Sequence, residues 1–252
     1  NEPVDIWNIN NKKKTETNQS NKVLNTNNSL ENLNNIEIKD SNLNQLEEAL
    51  IEEKNYLVGL FDPDENDLLI DMWELSDGEK ISKIIKKINK LNLSSDAKDL
   101  YSKLLLTNAL PPKNNFSKDD FIKLKSDWLI KNNDLLLIEK FLISNRDEID
   151  QKLLKFYLDK NLSNNNLNKA CKVFSNIQLI NSENYISMFR IYCHIYNNQK
   201  DIAQVQFDLI KENGFKNKFF EDKFNYLMGY AEKADEKISE KSILNFHLSH
   251  KT

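Results

Sequence analysis

Apolar residues recur along this chain at helical spacing in short bursts, each closed by Asn, Gly or Pro. From Ser182 to Phe215, Ile186, Phe189, Cys193 and Tyr196 mark one face, and Asn197-Asn198 interrupt it. Ile202, Val205, Phe207, Leu209 and Ile210 then mark a second face that stops at Gly214. The pattern predicts a helical hairpin with Ser182 as its opening cap. A helix of about four turns with a single apolar face buries too little surface to stand alone, so the pair must stack on neighbours.

The flanking sequence supplies them. Ser117, with Asp120 three residues later, is a capping-box-like start followed by Phe121, Leu124, Trp128 and Leu129, and Asp134 opens a partner helix with Leu137, Ile138, Phe141 and Leu142. Another pair uses Ile149, Leu153, Phe156 and Tyr157, then Leu167, Ala170, Cys171, Phe174 and Ile177. A fourth begins near Asn217 with Phe220, Phe224, Leu227, Met228 and Ala231, and its second helix is expected to hold Ile243, Leu244, Phe246 and Leu248. First helices thus start near residues 117, 147, 182 and 217, a spacing of about 30 to 35 that matches helix-turn-helix solenoid repeats. The expected fold is all-α, an α-solenoid of stacked helical hairpins over residues 113–252.

Upstream, residues 79–112 read as one more hairpin. Ile81, Ile84, Ile85, Ile88 and Leu91 trace one face opposite Lys80, Lys83, Lys87 and Lys90; a second helix from Ser94 or Ser95 uses Ala97, Leu100, Tyr101, Leu104 and Leu105, and Pro111-Pro112 end it. Residues 46–78 form an acidic connector with a short helix, pinned to the core by Leu60, Phe61, Leu69, Met72 and Trp73. Asp62, Asp64 and Asn66 imitate the first positions of a calcium loop, but Asp67 and Trp73 stand where that loop needs Gly and a bidentate Glu. Residues 1–45 are Asn-rich with few apolar groups, and are expected to be disordered. Within them Val4, Ile6, Trp7 and Ile9 lie close together and read as a short docking motif, against the alternative of an incidental apolar cluster.

Composition narrows the picture. Four Gly and four Pro in 252 residues are too few for a hairpin-rich sheet protein, while 39% hydrophobic content builds a core. Formal charge is −4 with Lys and Asp/Glu interspersed, which disfavours bulk nucleic-acid binding. No apolar run approaches the roughly 18 to 20 residues of a membrane helix. The chain begins at Asn1 without Met, so removal of a signal peptide or a longer N-terminal region is expected.

In the third hairpin Ala203, Phe207, Lys211, Glu212 and Gly214 resemble the second helix of a tetratricopeptide or pentatricopeptide repeat. Ile191 departs from the small residue of the tetratricopeptide pattern, and its Trp-Leu-Gly opening is missing. More widely, Gly59-Leu60-Phe61-Asp62-Pro63, Asp71-Met72-Trp73, Ser76-Asp77-Gly78, and Leu104-Leu105-Leu106-Thr107 before Pro111-Pro112 resemble an uncharacterised family of alphaproteobacterial secreted or envelope proteins with helical repeats. The resemblance spans about residues 57 to 231. It implies a removed signal peptide and location in the periplasm or cell envelope, the alternative being cytoplasmic, and it brings no activity. Export would put Cys171 and Cys193 in an oxidising compartment. They fall on inward faces of consecutive helices, so a disulfide is geometrically allowed; otherwise both are small buried hydrophobes.

Chemistry-bearing patterns are scarce. His194, His247 and His250 are scattered, the adjacent Cys193-His194 point different ways on a helix, and neither a phosphate loop nor a Ser-centred elbow is present. The function expected is therefore a non-enzymatic scaffold binding a protein or peptide partner, without cofactor or metal. Ile6, Trp7, Trp128, Tyr157, Tyr192 and Tyr196 are candidate partner-binding residues, although the four on helices fall on the same stripe as Leu and Ile, which reads most of them as core. The alternatives are a pentatricopeptide-like binder of single-stranded RNA, or an enzyme with an unrecognised site.

Overall fold

The computed structural model describes residues 57–177 and 182–252. The candidate docking motif with Ile6 and Trp7, and the stretch expected to be disordered, lie outside the described residues.

Among the described residues ten α-helices follow one another: α1 (Gly78–Ile88), α2 (Ser95–Leu106), α3 (Lys118–Asn132), α4 (Leu135–Ser144), α5 (Gln151–Ser163), α6 (Leu167–Phe174), α7 (Asn184–Tyr196), α8 (Lys200–Glu212), α9 (Lys218–Met228) and α10 (Ile243–Lys251). Among the described residues extended pairing is limited to three isolated bridges, Val58 with Ala109, Phe61 with Thr107 and Asp77 with Asn114, so the fold class is all-α. Helix starts are set by local side chains that satisfy the first free N–H groups. Asp77 accepts from Lys80 N, Ser117 from Asp120 N, Asp134 from Leu136 N and Leu137 N, and Asn217 from Phe220 N. Ser182 does not cap α7; Glu183 holds that position without a side-chain bond, and the Ser182 hydroxyl instead meets that of Ser187 at 2.9 Å.

The first helices α3, α5, α7 and α9 begin at residues 118, 151, 184 and 218, and each packs on the next. α4 packs on α3, α5 and α6; α6 packs on α5 and α7; α8 packs on α7. The core runs through Phe121, Trp128, Phe141, Leu153, Tyr157, Phe189 and Phe224, all essentially buried. Cys171 of α6 and Cys193 of α7 form a disulfide with Cα atoms 5.4 Å apart.

Two expectations need correcting upstream. α2 ends at Leu106, five residues before Pro111-Pro112, because Thr107 turns extended and the chain then pairs with the incoming segment. Leu60 N donates to Leu106 O at 2.6 Å, and Asn108 N donates to Phe61 O at 2.9 Å. Leu60, Phe61 and Trp73 do pack on the core, but Leu69 is 70% exposed and anchors nothing. Ile84, Leu91 and Leu100 are likewise exposed. Asp62, read against a calcium loop, accepts from Asp64 N at 2.9 Å and shapes a short 3-10 turn, Asp64–Asn66.

Two buried polar side chains bolt residues 58 and 59 to the helices. The Lys125 ammonium, wholly buried on α3, donates to the carbonyls of Val58 and Thr107 and lies 4.4 Å from the centre of the Phe121 ring. Asn145 donates to Gly59 O at 2.8 Å and accepts from Gly59 N at 3.0 Å, completing a backbone pair as a strand would.

The largest correction concerns the fourth pair. α10 contains Ile243, Leu244, Phe246 and Leu248 as expected, but it does not close as the second arm of a regular hairpin. Residues 229–242 separate it from α9, and it packs chiefly on α5, with a smaller contact on α9. On α8, Ile202 (46%), Val205 (58%) and Leu209 (46%) stay exposed among the described residues.

Candidate functional site

Four residues on the described helices were expected to offer themselves to a partner. Trp128 cannot, because it fills the α2–α3 interface: its Nε1 donates to Ser102 Oγ at 3.1 Å, its ring takes the edge of Tyr101 at 4.6 Å, and 1% of it is exposed. Tyr157 cannot either; its ring is fully buried in α5 and its hydroxyl donates to Glu139 at 3.3 Å. Tyr192 is buried as a ring but presents its hydroxyl, and Tyr196 is half exposed.

Tyr192 and Tyr196 line one cavity of about 500 Å³ with Asn165, Leu167, His247 and Lys251. The cavity lies where the C-terminal turns of α7 meet the start of α6 and the far end of α10. The Tyr192 hydroxyl and His247 Nε2 are 3.1 Å apart, and their rings meet edge to face at 5.7 Å. Burial pushes the Tyr192 phenol up to about 12. Burial, with Lys251 and His250 nearby, holds the His247 imidazole below its ordinary value. Both groups are therefore neutral at pH 7, a pairing suited to hydrogen bonding rather than charge.

The other end of α10 faces a second cavity, about 410 Å³, lined among others by Lys155, Asp159, Glu240 and Phe246. Here the Tyr185 hydroxyl of α7 donates to the Asp159 carboxylate of α5, and the backbone N–H of Leu244 faces the same phenol. Burial raises Asp159 above the usual carboxylate range, opposed by the Tyr185 hydrogen bond and by Lys155. Between the two cavities Leu244 and Leu248, four residues apart on one face of α10, are completely buried.

The constellation is thus a helix-receiving surface on α5 and α7, with an apolar centre and a hydrogen-bonding group at each end. Asp159, Tyr185 and His247 were not singled out as its parts from sequence. The clue that was available is the length of residues 229–242, too long for a hairpin turn between helices that stay side by side.

The Cys193 sulfur is spent in the disulfide, and the neighbouring His194 Nδ1 pairs with Gln199 Oε1 at 2.9 Å. The His250 ring meets that of Phe246 edge to face at 4.5 Å. Among the described residues no group of three His, Cys, Asp or Glu side chains could hold a metal ion. No helix among them is long and apolar enough to cross a membrane.

Comparison with known proteins gives no relative to reason from: no protein family, curated protein or solved structure matches the chain.

Proposed function

We propose that the chain is a non-enzymatic scaffold of stacked helical hairpins that holds a protein or peptide partner, and that it works in an oxidising compartment such as the cell envelope. The observation that carries the reading is the row of first helices. α3, α5, α7 and α9 start 33, 33 and 34 residues apart and each packs on the next, the neighbour-to-neighbour arrangement by which repeat proteins build an extended binding face. The buried Cys171–Cys193 disulfide supports the compartment, since such bonds persist outside reducing cytosol. The tetratricopeptide-like features of Ala203 and Phe207, both buried on α8, fit the same architecture.

Cross-linking in the native cell, followed by identification of the captured proteins, tests this. The scaffold reading expects one or a few proteins attached reproducibly through residues of α5, α7 or α9. Attachment to none, or indiscriminately to abundant proteins over the whole surface, would remove it.

A further inference from the structure

We infer that the cavity between α7 and α8 around Arg190 binds a carboxylate, supplied by an acidic side chain or the C-terminus of a peptide partner. The inference rests on the scaffold reading and names the chemistry through which the partner is held.

The cavity, about 440 Å³, opens where the first two turns of α7 meet the last turns of α8. Among the described residues Arg190 is the one charged group that lines it. The guanidinium is half-buried, lies over the Phe174 ring at 5.4 Å from its centre, and makes no hydrogen bond or ion pair among the described residues. Burial alone lowers it from its ordinary value, with no carboxylate near enough to oppose the loss of water. A cation drawn out of water in this way is costly until an acceptor meets its N–H groups.

The choice of residue points the same way. Arg146 and Arg190 are the only arginines in a chain rich in lysine, and Arg146 lies at the surface with 66% of its side chain exposed beside Asp147. The planar fork that lysine lacks, and that matches two carboxylate oxygens at once, is thus the group held ready in the cavity. Around it the side-chain amides of Asn184, Gln206 and Asn213 make no hydrogen bond among the described residues, while the Ser182 and Ser187 hydroxyls are occupied with each other. Free amides both donate and accept, as the backbone of a peptide requires. One positive charge without a lysine beside it balances one carboxylate; a phosphate group would bring close to two negative charges and leave the second uncompensated.

The test is ¹⁵N NMR on the full chain with its disulfide intact, in which the two arginine Nε–H signals are told apart by the loss of one in Arg146→Lys. The probes are Ac-Ala-Ala-Glu-Ala-Ala-amide, its Gln counterpart, Ac-Ala-Ala-Ala-Ala-Ala with a free C-terminus, sodium acetate and inorganic phosphate. At least one of the two carboxylate peptides should shift the Arg190 signal saturably, about ten-fold more tightly than the Gln peptide, and leave Arg146 in place. Which of the two binds more tightly assigns the carboxylate to a side chain or a C-terminus. Parallel shifts of both arginines, equal binding of the Gln peptide, or tighter binding of phosphate overturns the inference, and acetate binding as tightly as the peptides overturns the peptide source. Arg190→Lys keeps the charge but not the fork and should weaken binding about ten-fold; equal binding overturns the inference, and if that variant loses its α7 signals the wild-type titrations decide alone. A native protein cross-linked equally to wild type and Arg190→Lys would leave the scaffold standing but remove this cavity from it. Peptide binding at Arg190 without any native partner would do the reverse.

Discussion

Lys125 sits at the junction where the incoming segment meets the helices, and its environment decides how the molecule responds to pH. Burial lowers its ammonium to about 7, while the Val58 and Thr107 carbonyls and the Phe121 ring act to keep the charge. An unfolded lysine holds its proton up to about pH 10.4. Between these values the unfolded chain binds more protons than the folded one, so stability should rise from pH 7 towards pH 10. Urea unfolding at pH 7, 8.5 and 10 reads this, and Lys125→Met should flatten the rise. Gly59 offers a test of geometry at the same junction. A Cβ there would lie 2.6 Å from the backbone nitrogen of Asn108, so Gly59→Ala should cost about 1–3 kcal/mol by denaturant titration. Neither residue announces its role in sequence. A lysine between Leu124 and Trp128 reads as the polar side of an amphipathic helix, and only the approach of residues 58 and 107 turns it inward. Trp128 and Tyr157 erred the opposite way: their apolar bodies serve a core and a groove equally in a pattern, and packing chose the core.

Elements were far more legible than their partners. Ser117, Asp134 and Asn217 mark helix starts because a short polar side chain before an apolar run has one good use there. The α10 pattern, by contrast, defines a helix with Leu244 and Leu248 on one face but does not say whether that face meets α8 or α5; tertiary contact decides. The disulfide joins α6 to α7 around the connection between the second and third pairs, its ends 22 positions apart in sequence. In the loop-entropy description a closure of that size contributes about 3 kcal/mol. Reduction, or Cys171→Ala with Cys193→Ala, should lower unfolding stability by about that amount without removing helical signal. At α10 the sign of the pH effect is set by His247. Its imidazole is held below its ordinary value of 6.5 beside Tyr192, Lys251 and His250. The undocked helix therefore takes up a proton more readily than the docked one. As pH falls through about 6.5 docking should weaken, and exchange of the α10 amides should quicken relative to those of α5. His247→Asn should remove that dependence.

At the scale of the whole molecule, the row of first helices and the returning last helix are two halves of one account. The first helices pack one on the next, and α10 returns to α5 with Leu244 and Leu248 buried. The repeat spacing was visible in the sequence from the periodicity of caps and apolar faces. The return of α10 was not, because it depends on contact between residues about 90 positions apart. Lysine cross-linking of the full chain with a short reagent, read by mass spectrometry, tests it directly. Lys241 shares a cavity with Lys155, and Lys251 shares one with Lys169. The account predicts that Lys241–Lys155 and Lys251–Lys169 are the dominant links from the last helix and the residue pair preceding it. Links running instead from Lys241 and Lys251 to Lys200 and Lys211 of α8, the signature of a regular fourth hairpin, would contradict it.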